Sequence, residues 1–238
     1  MLSFENINLS YDHNKIFENL NISFKHQQIT CLFGPSGIGK TSILNLLAGI
    51  LKPDSGKVNV PVTTRIGYVF QEPRLLPWCN VRENLGIGLY ATDMNEGQRY
   101  AAIEEMIEQL SLTGYDKHYP AQLSGGMKQR VALGRAFVIA PELLLLDEPF
   151  SALDEALKLE MRNLLHNLIE WFPCTTVFVT HDFMEAIYLS DWLILMNKRP
   201  CNNPTVLQID SSKRDDQNYI NELELKLMGG RMKNKIFV

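Results

Sequence analysis

The apolar residues of this chain fall into short solid runs separated by longer stretches in which they recur every three or four positions. ITCLF at 29–33 is such a run; a glycine-rich turn follows it, and then the periodic segment KTSILNLLAGIL. This order predicts a strand, a loop and a buried helix. The turn KPDSG at 52–56 leads to KVNV and to IGYVF at 66–70, two further strand candidates. From about residue 72 to 135 the spacing becomes helical, through VRENLGIGLY and EGQRYAAIEEMIEQL, and predicts an inserted helical subdomain. Strand and helix then alternate again through LLLLD, ALKLEMRNLLHNLIEWF, TTVFVTH, FMEAIYLS and DWLILM, and beyond about 210 the chain is polar and weakly patterned.

Composition adds bounds to this picture. With 238 residues, 45% of them hydrophobic, the chain can bury the core of one domain. A formal net charge of −4 gives no general attraction for a polyanion, which argues against nucleic acid as a partner. The N-terminal stretch MLSFENINLSYDHNK lacks the basic and apolar regions of a secretory signal, and the solid run Leu143–Leu146 is far shorter than the roughly 20 residues of a membrane span. Any membrane role is therefore expected to be peripheral. Cys31, Cys79, Cys174 and Cys201 form no CxxC pair, which fits reduced thiols and no zinc site.

The first chemical signal is GPSGIGKT, from Gly34 to Thr41, between a predicted strand and a predicted helix. Glycines at this spacing let successive backbone N–H groups curl around phosphate while the helix presents its positive end to the same anion. Lys40 is expected to reach the β and γ phosphates of a nucleotide, and Thr41 to offer its hydroxyl to Mg2+. The second signal is LLLLDEPF, an apolar strand ending in Asp147 and Glu148. Asp147 suits a magnesium ligand, and Glu148 suits a base that orients or deprotonates water. His181 follows TTVFVT and could donate to the γ phosphate or hold the water against Glu148, while Gln71 follows IGYVF and could contact Mg2+ or that water through its amide. Taken alone, His181 also reads as a surface group and Gln71 as an ordinary loop residue.

The order GPSGIGKT, Gln71, LSGGMKQR, LLLLDEP, SALD and His181 resembles that of the ATP-binding cassette (ABC) ATPases, over about residues 2 to 210. LSGG followed by LLLLDEP and SALD is the specific part. The resemblance implies an α/β fold: a P-loop NTPase core with a mainly parallel sheet, an N-terminal antiparallel β portion and an inserted helical subdomain at about 72–135. It implies one domain over 1–210 and a short C-terminal tail over 211–238. It also implies that Gly34, Pro35, Ser36, Gly37, Ile38, Gly39, Lys40, Thr41 and Ser42 hold ATP with Mg2+, and that Tyr11 stacks on adenine, where core packing is the alternative. Ser124, Gly125 and Gly126 would cap the nucleotide of a second copy, and Asp154 would lie in a loop crossing to it. Their alternatives are plain helix caps.

EPRLLPWCNVRENLGIGL at 72–89 and LMNKRP at 195–200 resemble the importer ATPases of the nitrate, sulfonate and taurine group. That likeness implies a homodimer at the cytoplasmic face of the membrane, working with separate transmembrane permease subunits and indirectly with a periplasmic or lipid-anchored solute-binding protein. Leu75, Leu76, Pro77 and Trp78 would border a groove for a permease helix, with burial inside the helical subdomain as the alternative. A soluble ABC ATPase uncoupled from transport and a non-hydrolysing regulatory module are the other readings; the presence of Glu148 speaks against the latter.

Overall fold

The computed structural model describes residues 2–12 and 14–232, and side chains up to Leu227 within the last helix. Residues 233–238 of the expected tail lie outside the described part. The chain divides into two compact units, Met1–Val62 with Thr175–Val238, and Thr63–Cys174.

In the first unit, β1 (Leu2–Tyr11) lies between β2 (Asn14–Phe24) and β4 (Ser55–Asn59) and is antiparallel to both. Phe4, Ile7 and Leu9 of β1 and Leu20, Ile22 and Phe24 of β2 are buried, so this sheet hides one face. A second sheet places β3 (Ile29–Phe33) in parallel between β7 (Thr175–Thr180) and β8 (Trp192–Leu195), with β9 (Thr205–Gln208) antiparallel on β8. Every residue of β7 is buried, the signature of a strand covered on both faces. α1 (Lys40–Leu47) follows β3 and buries Ile43, Leu44, Leu46 and Leu47, while α6 (Phe183–Leu189) follows β7. Phe33 pairs with Thr180, so Gly34 and His181 leave neighbouring strand ends.

In the second unit, β5 (Ile66–Val69) pairs in parallel with β6 (Leu143–Asp147), Val69 opposite Leu146. Gln71 and Asp147 thus also leave neighbouring strand ends. The helices are α2 (Val81–Gly86), α3 (Glu96–Gln109), α4 (Gly125–Phe137) and α5 (Glu155–Trp171). α2 and α3 start at Asn80 and Asn95, each exchanging bonds with Glu83 or Gln98 in a capping box. α5 buries Met161, Leu164, Leu165 and Leu168, one stripe at helical spacing.

Two sequence expectations need correction. Helix begins at Val81, not near 72, because Pro73 and Pro77 keep the preceding stretch out of regular structure. The region beyond 210, read as weakly patterned, contains α7 (Gln217–Met232), in which Ile220, Leu223 and Leu227 recur at helical spacing and are buried. Cys31, Cys174 and Cys201 are buried, Cys79 is partly exposed, and all four are free thiols. No described helix is long and apolar enough to cross a membrane.

Candidate functional site

The loop from β3 to α1 is built around a glycine-led helix end. Gly39, just before α1, has φ 113°, in the left-handed region, and a Cβ there would stand 2.6 Å from Ile16 Cγ2 and 2.9 Å from Phe17 Cε1. Glycine is required twice over, by conformation and by packing. The N-cap residue, Gly39, makes no side-chain capping bond, and a helix N-terminus of this kind suits an anion. Lys40 is 5% exposed, and its amine donates to Gly34 O at 2.8 Å and Pro35 O at 3.0 Å. A cation is thereby stored on the loop's own carbonyls, inside the curve where phosphate would sit.

Around this turn, Pro35, Ser36 and Gly37 form an exposed crest, Ile38 is buried, and Thr41 is exposed at the start of α1. Ser42 is buried and shares a 3.3 Å hydrogen bond with the hydroxyl of Tyr11. Tyr11 ends β1 with 43% of its surface exposed, so core packing does not account for it. His181 is exposed on a tight turn: Asp182 N donates to Thr180 Oγ1 at 3.0 Å, and Thr180 Oγ1 donates to buried Glu185 at 2.6 Å. Burial, then the charge of Glu185, pushes the Cys31 thiol up, with Lys40 opposing, so this cysteine stays protonated behind the loop.

The LMNKRP segment contributes a contact that its sequence did not announce. Arg199 donates to Gly37 O at 3.4 Å and to Lys15 O at 3.2 Å, while Cys201 N donates to Ile16 O at 2.8 Å. The carbonyl of Met196 fills the space where a side chain at Gly34 would go.

In the second unit, Asp147 is the last residue of β6 and Glu148 follows it, both partly buried. Glu148 has φ 46°, rare for a residue with a side chain and often found where function imposes strain. Its carbonyl accepts from Ser151 N at 3.3 Å and Ser151 Oγ at 3.1 Å, and Gln71 Nε2 reaches Ser151 Oγ at 3.4 Å. Gln71 and Glu148 are therefore joined through Ser151. Burial, helped by the charge of Asp147, raises the Tyr68 hydroxyl well above its ordinary range, which keeps it neutral beneath that carboxylate.

The two glycines of LSGG differ. Ser124 Oγ accepts from Met127 N at 3.2 Å and caps α4. A Cβ on Gly125 would meet nothing within 4 Å, whereas one on buried Gly126 would stand 2.9 and 3.0 Å from the Leu157 methyls. Packing against α5 accounts for Gly126; Gly125 is bare toward open space. Asp154 caps α5 by accepting from Leu157 N at 3.0 Å, so Ser124 and Asp154 both stand as helix caps.

Trp78 is 72% exposed and Pro77 is exposed, with Leu75 and Leu76 half-buried, so burial does not account for this bulk. Asn84, fully buried on α2, accepts from Leu76 N at 2.8 Å and donates to Leu76 O at 3.2 Å and Cys79 O at 2.8 Å. Arg135 on α4 donates to Pro73 O and Arg74 O, both at 2.9 Å. The loop's backbone is pinned while Trp78 faces outward. Among the described residues, no cluster of three or more His, Cys, Asp or Glu side chains could hold a metal by itself.

These features define the class. The ABC transporter family matches residues 17–151, and the chain belongs to that family. The sulfate/thiosulfate import ATP-binding protein CysA of Synechococcus elongatus is 43% identical over 178 residues, which cover 71% of this chain and 52% of that protein. The chain therefore spans about half the length of that relative. An aliphatic sulfonates import ATP-binding protein, SsuB 2 of Pseudomonas syringae pv. tomato, is 39% identical over 79% of this chain and 80% of its own. Among solved structures, the dimeric ATP-binding cassette MJ0796 bound to ADP and Pi, in a post-hydrolysis state, is 28% identical with a TM-score of 0.76, over 88% of this chain and 99% of that one.

Proposed function

We propose that the chain is the ATP-hydrolysing subunit of an ABC importer, working through a separate membrane permease. The observation that carries this reading is the glycine-built loop before α1, with the buried Lys40 amine folded onto its carbonyls. Relatives named for sulfate/thiosulfate, aliphatic sulfonate and taurine import support a small sulfur oxoanion or sulfonate as the solute, with nitrate, another small oxoanion, as the alternative. The loop from Gly34 to Ser42 binds the phosphates, and Tyr11 offers its exposed ring to adenine.

The absence of a carboxylate cage among the described residues suits Mg2+, which keeps waters and phosphate as ligands. Thr41, Gln71 and Asp147 would hold it, and the ion, when bound, would neutralise charge on the phosphates. Glu148 takes a proton from the attacking water or orients it; His181 and Gln71 hold that water or the γ phosphate. Ser124 and the amides at Gly125 and Gly126 face the nucleotide of a second copy, Asp154 crosses to that copy, and the exposed Trp78 loop receives the permease. The complex sits peripherally at the cytoplasmic face of the membrane, served by an external solute-binding protein.

Glu148→Gln keeps the shape and removes the base. ATP affinity should stay near normal while turnover falls by at least about 100-fold; turnover close to that of the unmutated chain would sink the assignment. Trp78→Glu, folded by thermal melt, should lose permease association in copurification while binding ATP normally. Normal assembly of that variant would remove the support for the docking loop.

A further inference from the structure

Gln129 lies on α4, one turn beyond the Ser124 cap, and is 3% exposed. Its Nε2 donates to Pro149 O at 2.6 Å, a short bond closed off from water. Pro149 follows Glu148, whose backbone occupies the left-handed region, a conformation that persists only where the surroundings over-determine it. Proline has no N–H, so its carbonyl is the one backbone group by which this residue can be held. Ser151 N and Oγ, which donate to Glu148 O, belong to the turn itself and move with it, and Gln71 Nε2 reaches Ser151 Oγ from the loop after β5 at 3.4 Å. Gln129 ties the residue after Glu148 directly to α4.

We propose that Gln129 is a positioning residue for Glu148, fixing the carboxylate's backbone to the helix that begins at LSGG. The proposal rests on the reading of Glu148 as the base. A plain structural role for Gln129 is disfavoured because α4 has other anchors: Arg130 donates to Leu110 O at 2.6 Å and pairs with Glu160 of α5. Loss of one amide leaves the helix seated and releases the turn.

The test uses the full chain and follows steady-state ATP hydrolysis, ATP affinity and melting temperature. Gln129→Met matches the side chain in size and removes the donor; kcat should fall about 10- to 100-fold with KM within threefold, as expected when a catalytic group is misplaced by a fraction of its bond length. Val131→Ala, at a fully buried position on the same helix, controls for packing and should lower the melting temperature with kcat within threefold. In the Glu148→Gln background the base is gone, so Gln129→Met should change residual turnover by less than threefold, the non-additivity of groups acting as a unit.

Three results would overturn the proposal: kcat of Gln129→Met within threefold of normal, an equal loss in Val131→Ala, or a full additional loss in the Glu148→Gln background. Failure of the underlying reading looks different. In that case the unmutated chain shows no turnover, or Glu148→Gln alone retains it.

Discussion

α1 follows a glycine, Gly39, and α4 begins on one, Gly125; the sequence marks both as helix ends that meet phosphate, yet their starts are built differently. Before α1, Gly39 adopts a left-handed backbone and makes no side-chain capping bond, and Lys40 folds its charge back onto Gly34 and Pro35. Before α4, Ser124 caps in the ordinary way, Gly126 is glycine because Leu157 lies against it, and Gly125 alone borders open space. Composition is similar at the two ends and the physical causes are not. The P-loop is held ready by its own unit, whereas LSGG is a satisfied helix cap with one bare backbone face. That asymmetry is what a site would need if α1 binds the nucleotide and α4 only closes over one that another copy has bound.

The largest effect should come from breaking the α1 side of this contrast. Lys40→Ala removes the buried cation, and ATP affinity measured by calorimetry should drop by at least about 100-fold, because charge-assisted bonds to phosphate are the strong ones. Ser124→Arg changes only the α4 side, and a single chain carrying it should bind ATP within threefold of normal. Equal losses in the two variants would erase the distinction between the two helix ends, and normal affinity in Lys40→Ala would contradict the P-loop reading.

Pairing the two variants sharpens the comparison further. Lys40→Ala keeps its LSGG and Ser124→Arg keeps its P-loop, so a mixed dimer contains one intact composite site and one damaged at both ends. With Glu148→Gln added to both chains to suppress turnover, size exclusion in ATP should show several-fold more dimer for the mixture than for either variant alone. Absence of that gain, when Glu148→Gln alone pairs, would count against a site shared between copies.

What could be read from the sequence follows the same division. Gly34–Thr41, LSGG, Asp147 and Glu148 were legible because the chemistry lies in residue type and local spacing, and a phosphate cradle accepts few substitutes. The strands LLLLD and TTVFVT were legible from unbroken apolar runs. Gln129 and Arg135 were not, since each serves a backbone carbonyl distant in sequence, and Asn84 and Ser151 were not, since each supports an irregular loop or turn that leaves no periodic pattern. Arg199 was noticed only as part of LMNKRP, not for its reach to Gly37. α7 escaped because Ile220, Leu223 and Leu227 are spread thinly among polar residues.

The smallest effect separates the two glycines of LSGG. Neither has a positive φ, so alanine can adopt the backbone at both positions, and each substitution gains up to about 1 kcal/mol of helix propensity and reduced chain freedom. At Gly125 the new methyl meets nothing within 4 Å, so Gly125→Ala should raise the melting temperature by roughly 1–4 °C. At Gly126 the methyl would press on the Leu157 side chain at 2.9 and 3.0 Å, and crowding of that kind costs about 1–3 kcal/mol, so Gly126→Ala should melt at the same temperature or several degrees lower. Function should run the other way for Gly125, because a methyl on the bare face keeps a phosphate from approaching the amides. A Gly125→Ala chain that is more stable than the unmutated one but pairs less in ATP would mark that backbone as a ligand surface kept bare at the expense of stability. If instead Gly125→Ala is more stable and pairs normally, the α4 terminus is only a capped helix end, and the closing of the nucleotide site must be assigned to other residues.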